Sequence, residues 1–233
     1  MGICLRTPIG NVIHTGDFKF DQTPVDGKGT DFHDIAAFGR EGVLCLLSDS
    51  TRAEFPGYTP SERTVGEAFR EIMEGLDGRV IVATFASNIA RVQQVFDAAA
   101  TFGRKVAVIG RSMEQNTRIA SDLGYLRWGP DQLVPKDRIR DIPDGELVIA
   151  TTGAQGEPMA GLARMANRDH RFVEVTPGDT VIVSASPIPG NEEYVARTVD
   201  NLFKLGANVY YHANKRAHVS GHASQEELKL MLN

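Results

Sequence analysis

Arg79-Val80-Ile81-Val82-Ala83-Thr84-Phe85-Ala86-Ser87-Asn88 is a short apolar run that stops at small polar residues and leads into a helix expected over 88–102. A strand with no polar alternation is buried on both faces, and such strands alternating with helices build a parallel sheet. The same unit recurs to either side. Strands are expected over 105–109, 147–151, 180–185 and 207–212, and helices over 62–75, 112–123, 158–167 and 190–205. Gly124 stands just past one helix, and Ser61, approached through Pro60, is placed to cap the first. The stretch 62–212 therefore reads as an α/β domain with a parallel sheet covered on both faces.

The flanks read differently. Residues 4–6 and 11–14 suggest a hairpin closed by Thr7-Pro8-Ile9-Gly10. A charged, glycine-rich loop over 21–31 and a short helix over 32–39 follow. Residues 43–48 form a continuous apolar strand, read as buried, that ends at Asp49-Ser50-Thr51. Segments 1–61 and 213–233 are expected to be parts of a second domain into which 62–212 is inserted. The pattern begins in mid-strand at Ile3-Cys4-Leu5 and stops within an amphipathic helix, so the chain is expected to be a piece cut at both ends.

Of 233 residues, 42% are hydrophobic and 24% charged, a composition ordinary for a folded protein. A net charge of −5 argues against a generally basic nucleic-acid binder but leaves room for a local basic groove. Cys4 and Cys45 sit in apolar runs outside any CxxC, which reads as two reduced core thiols in a cytoplasmic protein. No apolar run is long enough to span a membrane and no signal peptide is visible, so no membrane partner is expected.

The chemistry gathers at strand ends. His14-Thr15-Gly16-Asp17-Phe18-Lys19 follows a strand, and His218-Val219-Ser220-Gly221-His222-Ala223-Ser224 follows the last one. Asp17 either bridges cations through its two oxygens or orders its loop. Asp49, read alone, is an ordinary turn aspartate. A histidine of the His218/Ser220/His222 cluster could donate a proton to a leaving oxygen, with Asp49 orienting it. The turns at 84–88 (with Ser87 and Asn88), 110–112 (with Arg111), 151–157 (with Gly156 and Glu157) and 184–187 each follow an apolar strand and suit phosphate oxygens. None is a Walker A or GxGxxG sequence. His33, His170 and His212 receive no role. Lys215-Arg216 reads as solvated surface, and Tyr125 and Trp128 as local packing. No HxHxDH or HExxH occurs.

Taken in order, these segments, with Pro56-Gly57-Tyr58-Thr59-Pro60-Ser61-Glu62, Gly110-Arg111-Ser112-Met113, Gly156-Glu157-Pro158-Met159 and Pro187-Ile188-Pro189-Gly190-Asn191-Glu192, resemble the β-CASP metallo-β-lactamase nucleases, the ribonuclease J group most closely. The resemblance implies a parallel, Rossmann-like β-CASP domain over 62–212 inserted into fragments of a metallo-β-lactamase αββα sandwich. It makes Asp17 the metal-bridging aspartate, Asp49 the acid and His222 the histidine that protonates the leaving group. The Ser220–His222 turn looks like part of the pocket for a 5′-phosphate or scissile phosphate, so His218, Ser220 and Gly221 are expected there, and Ser87, Asn88, Arg111, Gly156 and Glu157 of the strand-end turns are expected as further phosphate or RNA contacts. Its cofactor is a pair of zinc ions, with manganese or magnesium as alternatives. Its partner is RNA carrying a 5′-monophosphate, cut from that end and internally, by a chain that could assemble as a homo-oligomer.

Several of the family's metal histidines are absent, and Ala90 stands where similar sequences often have histidine. The chain by itself is therefore expected to be inactive. A non-catalytic RNA-binding or assembly module, a DNA-acting β-CASP nuclease and a small-molecule phosphate-ester enzyme stay open as alternatives.

Overall fold

The computed structural model describes residues 2–157, 159–212, 214–215 and 217–233. Pro158 of the Gly156–Met159 motif and Arg216 beside Lys215 lie outside the described residues. The chain forms two compact units, one of residues 64–218 and one of 1–63 with 219–233. The first of these runs on through His218, where the sequence placed the return at 213.

In the 64–218 unit, β4 (Val80–Ala83), β5 (Lys105–Ile109), β6 (Leu133–Val134), β7 (Leu147–Thr151), β8 (Thr180–Val183) and β9 (Asn208–Tyr210) form one sheet in the order β6-β5-β7-β4-β8-β9. Every pairing in it is parallel. Successive strand side chains point to opposite faces. On one face Ile81, Ile149, Val181 and Val209 join a single buried cluster with Leu162 and Met165 of α5 (Gly161–Ala166) and Val195 and Leu202 of α6 (Glu192–Lys204). Their neighbours Val80, Val82, Val106 and Val148 are equally buried on the other face. There α3 (Ile89–Thr101) and α4 (Arg111–Asp122) pack on β5. α2 (Arg63–Met73) adds Phe69 and Met73, both at most 1% exposed. An apolar strand covered on both sides is what the unalternating sequence requires.

Element ends moved by a few residues, as hydrogen bonding and capping dictate. Ser61 does accept from the Arg63 amide, at 3.2 Å. β6 escaped the sequence reading because two residues carry no period. The helix expected over 158–167 is the shorter α5, which begins only at Gly161. Trp128 stacks on Phe96 with ring centroids 5.1 Å apart, whereas Tyr125 is exposed.

Where β4 and β8 begin, Arg79 and Asp179 form a two-pronged ion pair, Nε to Oδ1 at 3.1 Å and Nη2 to Oδ2 at 2.5 Å. Asp179 also accepts from the Thr176 amide. Both side chains are buried, so each neutralises a charge that could not stand alone.

In the other unit, β1 (Ile3–Thr7) and β2 (Gly10–His14) pair antiparallel, and β3 (Val43–Leu47) pairs parallel to β2. Gly10 has φ +135°, and a Cβ there would stand 3.0 Å from that of Leu44, so the turn requires glycine. α1 (Phe32–Glu41) is capped by Asp31, and α7 (Gln225–Leu232) closes the unit. Two expectations fail here. β3 is not a buried strand, since Val43, Leu44 and Leu47 are exposed. Nor are the cysteines core thiols, since Cys45 is exposed and Cys4 half-buried, both as free thiols. An apolar run records the environment a strand suits, and the described residues do not supply that cover. Among the described residues no helix is long and apolar enough to cross a membrane.

Asp179→Ala is expected to lower the unfolding free energy by about 3–5 kcal/mol, because it strands a buried guanidinium. Urea denaturation of the two chains checks this, and a loss below about 1 kcal/mol would show the pair to be dispensable.

Candidate functional site

Glu227, in the first turn of α7, is fully buried. Its Oε1 accepts from the Phe20 amide at 2.8 Å, and its Oε2 from the amides of Thr59 at 2.7 Å and Ser224 at 2.9 Å. Ser224 and Glu227 form a capping box at the start of α7. Thr59 Oγ1 in turn donates to the His222 carbonyl at 2.7 Å and lies 2.8 Å from Ser224 Oγ. One carboxylate thus ties three distant chain segments together and sets the backbone that carries His222. Sequence reading passed over Glu227, although the Ser-x-x-Glu spacing was there to be seen.

Asp49 is held as firmly. Its amide donates to Thr15 Oγ1 at 3.0 Å, Oδ1 accepts from the Thr51 amide at 3.0 Å, and Oδ2 accepts from His222 Nδ1 at 2.8 Å. Burial raises the pKa of this carboxyl, but hydrogen bonds from the Thr51 amide and hydroxyl and from His222 outweigh it, and the net effect is a pKa below the usual value. Ionised, Asp49 only accepts, so His222 donates to it from Nδ1.

The structure brings Asp17 to this pair: one ligand atom from each of Asp17, Asp49 and His222 lies within 4.8 Å of the others. Among the described residues this is the one such group of three. The donor set falls short of two ions. A catalytic zinc takes about three protein ligands, and here one of three donors is already engaged in orienting another. Ser220 Oγ accepts from the His222 amide at 3.1 Å, shaping the turn, and Gly221 is exposed.

The residues expected to hold phosphate in the 64–218 unit separate into groups. Arg111 and Glu157 line one crevice at the carboxyl ends of β4, β5 and β7. Ser87 is exposed, and Asn88 caps α3 by accepting from the Arg91 amide at 3.0 Å. Gly156 serves packing, since with φ +80° a Cβ there would come within 2.7 Å of the Val195 amide nitrogen. The Ser184 turn faces elsewhere. Ser184 Oγ donates to the Ala217 carbonyl at 2.5 Å, and its own carbonyl accepts from the buried Arg91 at 3.0 Å. Arg91 Nη1 also lies 2.7 Å from His218 Nδ1. An arginine only donates, so this contact makes Nδ1 of His218 the acceptor and puts its proton on Nε2. Nothing in the local sequence marked Arg91, which lies inside a helix. Lys215 is paired with Glu71 at 2.7 Å.

The six-stranded parallel sheet is consistent with a β-CASP domain of the metallo-β-lactamase superfamily. A family model described as ribonuclease J, beta-CASP domain, matches residues 77–202, and the chain belongs to that family. It is 51% identical over 232 residues to ribonuclease J of Thermus thermophilus, covering 100% of this chain and 40% of that protein. It is 47% identical over 233 residues to ribonuclease J2 of Bacillus subtilis, covering 100% and 42%. With ribonuclease J of Synechocystis it shares 47% over 230 residues, covering 99% and 36%. The chain spans about two fifths of the length of these relatives.

Glu227→Ala leaves three amides without their acceptor and is expected to cost about 3 kcal/mol or more in urea denaturation. The Asp49–His222 pair carries a pH signature of known sign. A carboxyl whose folded pKa is depressed stabilises the fold above its unfolded pKa and loses that contribution as the pH falls through the folded one. The stability difference between wild type and Asp49→Asn is expected to hold down to pH 3.8, the ordinary carboxyl value, and to vanish only below it. A difference that fades well above that value would show that the pair does not keep Asp49 ionised.

Proposed function

We propose that this chain is part of a metal-dependent ribonuclease that hydrolyses RNA phosphodiesters. The observation that carries the reading is the 2.8 Å contact of His222 Nδ1 with the ionised Asp49, beside Asp17, in a chain of the ribonuclease J family. Hydrolysis adds water to phosphorus and expels a ribose oxygen, which needs a proton. Asp49 stabilises the His222 imidazolium, and Nε2 delivers that proton to the leaving oxygen. Asp49 is a positioning residue and does not itself transfer the proton.

Asp17 is the metal ligand this chain contributes, with zinc as the ion and manganese or magnesium as alternatives. The Ser220–His222 turn receives the phosphate of an RNA 5′ end. Trimming from a 5′-monophosphate, internal cutting, self-assembly and a cytoplasmic location belong to the same reading. The shortfall of metal donors favours, for this chain taken alone, binding without turnover.

The test is binding of the 233-residue chain to matched short RNAs that carry a 5′-monophosphate or a 5′-hydroxyl, with a DNA of the same sequence as competitor. The expected result is a preference for the 5′-monophosphate of about tenfold, one charge-assisted hydrogen bond's worth, lost in Ser220→Ala and His222→Ala. Equal binding of both RNAs by all three folded chains removes the phosphate pocket. Stronger binding of the DNA removes the ribonuclease assignment.

A further inference from the structure

β5 and β7 are neighbours in the sheet, yet the chain leaves their carboxyl ends in opposite directions. β5 leads through α4 to β6 on one side, while β7 leads through α5 across to β8 on the other. Loops that part in this way open a crevice at the strand ends. Here it has a volume of about 570 Å³.

Its polar lining is rich in donors. Thr84 is 1% exposed, and its Oγ1 has no hydrogen-bond partner. A buried hydroxyl left unmet costs about 1–3 kcal/mol, a defect that a ligand oxygen would repair. α4 starts at the crevice, and Gly110 offers it no side-chain cap. Gly110 has φ +112°, and a Cβ there would stand 3.3 Å from Thr152 Oγ1, so a capping side chain is excluded. The positive end of a twelve-residue helix is therefore presented to whatever enters.

His170 Nδ1 accepts from the amides of Phe172 at 3.4 Å and Val173 at 3.2 Å, so its proton sits on Nε2 and that nitrogen donates. Burial, with the nearby Arg164 charge, lowers the His170 pKa, which keeps the ring a neutral donor around neutrality. Arg111, Arg164 and Glu157 also line the crevice. Arg164 is anchored to the exposed Asp169, through its carbonyl at 2.7 Å and its carboxylate at 3.5 Å. Phe85 and the 85%-exposed Met159 add apolar surface beside these donors.

We propose that this crevice is a second anion subsite, built from Thr84, the start of α4, Arg111, Arg164 and His170, which takes the phosphate of a nucleotide whose base lies against Phe85 and Met159. It shares no residue with the Asp17–Asp49–His222 group. The anion subsite stands on its own geometry, and the choice of a nucleotide rests on the ribonuclease reading. The nucleotide comes either free or as an internal unit of an RNA strand.

The experiment is an NMR titration of the 233-residue chain with inorganic phosphate, with AMP and with a 5′-hydroxyl RNA pentamer, in wild type, Thr84→Val and Arg164→Gln. Amide shifts at 110–113 and 172–173 are expected with each probe. Thr84→Val is close to isosteric and removes an unmet hydroxyl, so its Tm is expected to stay or rise while AMP affinity falls about tenfold. Arg164→Gln is expected to weaken AMP by a similar factor. Crevice shifts stronger for the pentamer than for AMP assign an RNA strand as the occupant. Crevice shifts with AMP and none with the pentamer support the subsite, name a free nucleotide and count against the ribonuclease reading. Wild-type affinity in both variants, or pentamer shifts confined to 220–222 with the crevice silent, overturns the proposal and leaves the ribonuclease reading standing.

Discussion

A single carboxylate, that of Glu227, determines where the catalytic candidates of the 1–63 and 219–233 unit can stand. Its oxygens satisfy the amides of Phe20, Thr59 and Ser224, which lie far apart in the chain. A fully buried acid is tolerated only when its oxygens are met by donors, and here they are met by backbone. Each of those amides flanks the candidate site: Phe20 follows the Asp17 loop, the Thr59 hydroxyl holds the His222 carbonyl, and Ser224 caps α7. The loops that bear Asp17 and His222 therefore depend on a carboxylate outside the Asp17–Asp49–His222 group.

On that frame the Asp49–His222 pair acquires its direction. Asp49 is positioned by the Thr15 hydroxyl and the Thr51 amide before it meets the ring, so the ring has one orientation and one tautomer. The 64–218 unit uses a different device. Its apolar strands are buried on both faces, with a buried ion pair, Arg79–Asp179, where β4 and β8 begin, and parallel strands place their following turns at one edge.

That edge shows how far local reading reaches. The turns at 84–86, 110–112 and 152–157 do converge on one crevice, as parallel topology demands. The fourth, at Ser184, looks alike in sequence but follows β8, on the other side of β4, and its hydroxyl is spent on Ala217. Gly156, Ser87 and Asn88 sit in phosphate-like turns, yet Gly156 is explained by close packing on α6 and Asn88 by a helix cap. Small and amide side chains serve turns and ligands equally well, so sequence alone could not divide them.

The sequence by itself determined the α/β class, the parallel sheet and the segments bearing Asp17, Asp49 and His222, because hydrophobic period and strand-end composition are local properties. Tertiary structure alone decided strand order, and with it which turns share a crevice. It alone joined Asp49 to His222 and Arg91 to His218 across more than a hundred residues. It also left β3 exposed where its apolar run suggested burial, and brought the unassigned His170 and Thr84 to the crevice. The physical reason is that hydrogen-bond partners and burial are set by whatever segment arrives from elsewhere, and no local pattern encodes that arrival.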